Sequence, residues 1–179
     1  MLSKYGLIDK FELYRIHSNG KWDLEVETCN KPSIFTKLMC KMGLKNIAGD
    51  ALTNYAINDL AVYLNGKYSY TSVGTNVTGN GGSGTPGTDY TLTDLDTPVL
   101  TRVAATKSYE STYNTDPLYP DTTVYTSVMT STGDYTLKEA GLHTTLTGGY
   151  LGARQVFSSW DIVNGETFGT IWKIINSRG

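Results

Sequence analysis

The chain has 179 residues, of which 39% are apolar and 18% charged, with a formal net charge of −2. That apolar content can offset chain entropy and excludes a charge-driven disordered protein. The nearly balanced charge gives no basic field for a phosphate backbone, which excludes nucleic acid as a primary partner.

Thirteen tyrosines and nineteen glycines against five prolines set a mostly β expectation, since Tyr suits pleated surfaces and Gly supplies turns. Residues 11–16 alternate faces as a strand, and Ser18-Asn19-Gly20-Lys21 carries the Asn-Gly pair favoured in tight hairpins. Residues 22–27 then alternate apolar and acidic side chains, so the chain is predicted to open on a β-hairpin. Pro32 begins a helical pattern over residues 33–43, with Ile34, Phe35, Leu38, Met39 and Met42 on one face and Gly43 as the cap. Residues 46–57 read as broken helix or irregular chain.

β-prone residues return over 60–73, interrupted by Asn65-Gly66, which reads as a second hairpin turn. A long glycine-rich loop is predicted near residues 75–90, where little is available to pack. Residues 97–107, 122–130, 135–142, 150–157 and 167–175 each read as strands. Residues 109–121 read as a loop with an extended start, and Val163-Asn164-Gly165-Glu166 as a third Asn-Gly turn. The sum is about eight or nine short strands, predicting one domain over residues 1–179, an antiparallel β-sandwich or open barrel with one short helix.

No apolar run approaches the roughly 20 residues of a bilayer span, and the N-terminus lacks the apolar block of a signal peptide. Neither membrane insertion nor secretion is therefore expected. Cys29 and Cys40 lie eleven residues apart. The spacing leaves a disulfide open, but Cys40 falls in an apolar helical pattern where a buried thiol is commoner, so both are read as unpaired.

The search for chemistry returns little. His17 ends a strand before a turn and His143 reads as a turn residue; neither sits in a recognised nucleophile pattern. Asp89, Asp94 and Asp96 lack the central Gly and terminal bidentate acid of a calcium loop. The glycine loop has no following Lys and no strand-to-helix junction, so it is not a phosphate loop. No cofactor, no metal and no catalysis are expected. Tyr109, Tyr113, Tyr119 and Tyr125 are the candidate interface residues, because Tyr is enriched where proteins meet. The alternative use of the aromatic residues is a sugar platform, for which Trp22, Trp160 and Trp172 would have to line an exposed face.

Several segments stand in an order similar to that of a known family. Asn46-Ile47-Ala48, Tyr70-Thr71-Ser72-Val73-Gly74-Thr75, the Gly/Thr/Pro loop, Thr93-Asp94-Leu95 and Leu100-Thr101-Arg102 follow in order. Leu137-Lys138-Glu139-Ala140-Gly141-Leu142, Leu151-Gly152-Ala153-Arg154-Gln155-Val156-Phe157 and Ile171-Trp172-Lys173-Ile174 complete the order. Together they resemble structural proteins of tailed-bacteriophage virions. Asn76 departs from that pattern, which usually has Gly there, and the glycine loop is longer. The resemblance implies a virion part made in the bacterial cytoplasm, in the tail, baseplate or neck. Its partners would be other virion proteins and further copies in a homo-oligomeric ring. A capsid decoration or fibre-anchoring protein is the nearest alternative, and a host-surface carbohydrate-binding module the next.

Overall fold

The computed structural model describes residues 6–30, 54–75, 94–112, 118 and 120–177. Strands β1 (Gly6–Ile16) and β2 (Trp22–Asn30) form the expected hairpin, closed by Gly20 at φ 79°. The Gly20 amide bonds the His17 carbonyl at 2.8 Å, and the left-handed backbone there is the reason the Asn-Gly pair works as a turn. A bulge between Leu13 and Tyr14 shifts the register within the hairpin.

The chain continues as helix α1 (Asn54–Lys67), then strands β3 (Tyr70–Gly74), β4 (Val103–Ala104), β5 (Thr106–Glu110), β6 (Thr122–Thr130), β7 (Tyr135–His143), β8 (Leu151–Ile162) and β9 (Thr167–Ser177). Two open antiparallel sheets result, ordered β2-β1-β9-β6-β5 and β4-β3-β7-β8. Ala105 is where the chain passes from the smaller sheet to the larger, its amide bonded to the Ser69 carbonyl at 2.8 Å. The expected mainly β, sandwich-type fold is the observed one.

Both sheets contribute to one core. Phe11 and Leu13 of β1, Tyr125 and Met129 of β6 and Phe168 and Trp172 of β9 face Leu137 and Leu142 of β7 and Phe157, Trp160 and Ile162 of β8. Phe11 lies 4.7 Å from Trp172 and stacks on Phe157 at 5.7 Å, while Trp160 meets Phe168 edge-on at 5.6 Å. Burying one such side chain is worth about 1.5–3 kcal/mol, and aromatic geometry adds to it. Between the sheets a buried hydroxyl chain runs from Thr71 through Ser127 to Thr170, the second link being 2.7 Å.

The expected β segment over residues 60–73 is corrected. Residues 54–67 are helical, and only 70–74 form a strand. Ile57, Leu60, Ala61 and Leu64 fall at helical spacing, and Ala61 and Leu64 are buried. Val62 and Tyr63, the β-prone pair that suggested a strand, are half exposed on the outer side. Asn65-Gly66 is not a hairpin turn; the Tyr68 amide bonds back to the Leu64 carbonyl at 3.3 Å and ends the helix. The strand expected over 97–107 is also mostly irregular, with one bridge from Gly74 to Pro98 before β4. The helix expected at 33–43 and the glycine loop from 76 onward lie outside the described residues. So does Cys40, whereas Cys29 falls in β2.

Candidate interaction surface

Side chains with chemical potential are turned inward. His143 ends β7, where the register pairs it with Tyr70, and it is fully buried rather than a turn residue. Its Nε2 lies 2.6 Å from the hydroxyl of Ser72, also fully buried, on the neighbouring strand β3. Asp94 Oδ1 stands 3.9 Å from that same Nε2. Burial foremost, and then the Arg102 charge, pull the His143 pKa down from 6.5 to about 4, against the opposing pull of Asp94.

A serine, a histidine and an aspartate in one place invite comparison with a nucleophilic triad. The arrangement is a different one. A triad sets its carboxylate on Nδ1, leaving a lone pair at Nε2 to take the serine proton. Here Nδ1 is buried and has no acceptor among the described residues, and the carboxylate is on the Nε2 side. A proton is better placed on Nε2, donated to Ser72 Oγ, which leaves the serine unactivated.

Asp94 is held by Arg102, whose Nη2 lies 2.8 Å from Oδ2. The other guanidinium nitrogen, Nη1, donates to the carbonyls of Thr145 at 2.9 Å and Gly148 at 2.6 Å. That side chain therefore staples the β7–β8 connection, which turns through Gly148 and Gly149 at φ 64° and 70°. The stapled loop displays Leu146 and Tyr150, the latter 70% exposed.

A second buried network joins Glu139 of β7 to Arg154 of β8 and to the Thr97 amide. Among the described residues no group of three or more His, Cys, Asp or Glu side chains is placed to hold a metal ion. Of the acids that lack a calcium-loop pattern, Asp94 pairs with Arg102, and Asp89 lies outside the described residues. His17 is exposed, with its Nε2 2.9 Å from Asp23.

The four candidate interface tyrosines separate. Tyr109 projects from β5, an edge strand of the five-stranded sheet among the described residues, and is 42% exposed. It stands opposite Thr123, whose hydroxyl donates to the Ala61 carbonyl of α1 at 2.9 Å, so it lies beside the helix. Tyr125 is fully buried and its hydroxyl donates to the Leu64 carbonyl, so it is a core residue and not surface. Burial pushes its phenol far above the usual range. Tyr113 and Tyr119 lie outside the described residues.

The tryptophans do not form an exposed platform. Trp160 and Trp172 are buried in the core, and Trp22 is half-buried, its indole against Gly169 and 5.7 Å from Tyr14. Sequence reasoning missed the stapled loop, whose signal was the pair of glycines at 148 and 149 followed by Tyr150. Compared with family models, curated proteins and solved structures, the chain matches none.

Proposed function

We propose that this chain is a non-enzymatic structural component of a tailed-phage virion, in the tail, baseplate or neck. It acts through contacts with its own copies and with other virion proteins. One observation carries the reading. The reactive side chains Ser72, His143, Glu139 and Arg154 are buried in mutual hydrogen bonds, whereas Tyr109, Leu146 and Tyr150 are exposed on an edge strand of the described sheet and on a stapled loop. Exposed Tyr on a rigid support suits a docking surface, because little entropy is lost when it is covered. The order of sequence segments resembling phage virion proteins supports the same assignment.

The test is an image of the intact particle with this chain located in it. A ring of copies at the tail vertex is the expected result. Copies on every capsomer would replace the tail assignment with a decoration role, and absence from particles would overturn the reading altogether.

A further inference from the structure

The five-stranded sheet ends at β5, and nothing among the described residues pairs with its outer edge. Four of its five residues, Thr106, Ser108, Tyr109 and Glu110, are exposed. Soluble proteins normally blunt such an edge with proline, a bulge or an outward lysine. Strand β5 has no proline and pairs with β6 in unbroken register. Its one lysine does not guard it. Lys107 Nζ is turned back onto the fold, donating to the Asn65 carbonyl at 2.6 Å and to Ser69 Oγ at 2.9 Å. Burial there lowers its pKa.

We propose that a second copy of this chain occupies this edge, with β5 pairing antiparallel to β5 about a two-fold axis through Ser108. The inference rests on the assembly reading for its purpose and deepens it by naming one contact. A continuous sheet that keeps both cores on the same side requires residues of like face to oppose each other. In five-residue overlap this sets Ser108 against Ser108, Lys107 against Tyr109 and Thr106 against Glu110. No like charges meet. Moving the axis to Lys107 would set that lysine against itself.

In this register each Tyr109 ring covers the aliphatic stem of the opposing Lys107, whose ammonium is already occupied by α1. Glu110 keeps its ion pair with Lys173 at 2.8 Å, so its charge is compensated where the strands meet.

Sedimentation velocity of the full chain, together with two variants at Ser108, tests the contact. The wild type is expected to associate reversibly into dimers. Ser108→Glu and Ser108→Lys each place a charge against its own copy and are expected to weaken association by about a hundredfold. An equimolar mixture of the two is expected to dimerise again, since only a two-fold at this residue sets glutamate against lysine. Circular dichroism checks that both variants keep the fold. A wild type that stays monomeric to about 1 mM overturns the contact. So does a wild-type dimer that neither substitution disturbs, or a mixture that stays monomeric. These outcomes leave the location of the chain in a particle untouched, which only imaging decides.

Discussion

Glu139 and Arg154 meet across the β7–β8 pair, with Nε 2.8 Å from Oε2 and side-chain exposures of 0% and 2%. The other carboxylate oxygen accepts the Thr97 amide at 3.0 Å, and the Thr97 carbonyl accepts the Thr75 amide at 3.1 Å. One carboxylate thus joins two strands and pins the irregular chain that runs beside the end of β3. Gly74 makes room for it, because a Cβ there would lie 2.5 Å from Glu139 Oε1. Removing one partner of a buried pair strands the other charge. Glu139→Ala is expected to cost about 3–5 kcal/mol in urea unfolding. Glu139→Leu combined with Arg154→Leu is expected to recover part of that loss. A cost below about 1 kcal/mol for the alanine variant would mean that the pair is not a stabilising clamp.

The buried His143 makes stability depend on pH in a defined window. Its folded pKa, about 4, lies below the unfolded value of 6.5, so the native ring is neutral where the unfolded ring begins to bind a proton. Stability is therefore fully present above pH 6.5 and falls as the pH drops toward 4. The loss by pH 5 is expected to be about 2 kcal/mol. The lowered carboxylates Glu12 and Asp23 act at more acid pH, from their ordinary values of 4.5 and 3.8 downward. Urea midpoints at pH 7 and pH 5, compared with His143→Gln, measure the effect. An unchanged midpoint in the wild type would sink it.

Helix α1 is held by side chains from the sheet it covers. Thr123 donates to the Ala61 carbonyl, Tyr125 to that of Leu64 and Lys107 to that of Asn65. Tyr125→Phe is expected to cost about 1–2 kcal/mol, because it leaves a buried carbonyl short of a donor. Hydrogen exchange should speed up in the last turn of α1 more than in β9. Uniform acceleration across the chain would instead mean that the whole fold, and not the helix, has been loosened.

Tyr68 lies flat against the backbone of Gly152, where a Cβ would come within 2.0 Å of the ring. Gly152→Ala must therefore displace the ring, at an expected cost of about 1–3 kcal/mol. With Tyr68→Leu in place the same change should cost less, giving a coupling above about 0.5 kcal/mol in a double-mutant cycle. Strict additivity would show that the contact is not what requires glycine.

The strand-rich fold was legible because its signals are local. Alternation in residues 11–16, 122–130 and 167–175 and the Asn-Gly pairs at 19–20 and 164–165 all correspond to observed strands and turns. The Asn-Gly pair at 65–66 misled because it follows helical spacing and not alternation. What keeps that segment helical, the Thr123, Tyr125 and Lys107 donors, lies some forty to sixty residues away in the chain. The surface was less legible for the same reason. Tyr109 lies on a sheet edge and Tyr125 in the core, and nothing in the local sequence separates an edge tyrosine from a core one. Likewise nothing near His143 announces Ser72, seventy-one residues earlier.

The middle strand of the larger sheet is β9, the last of the described strands in chain order, and both β1 and β6 hydrogen-bond to it. During synthesis β1 must wait, one edge open, until residues 167–177 have left the ribosome. At ordinary translation speeds that delay is on the order of ten seconds. The sheet therefore closes only once β9 has emerged, and the partly made sheet is at its most adhesive just before that. Yield in an expressing cell should depend on chaperones that hold the chain between the emergence of β1 and that of β9.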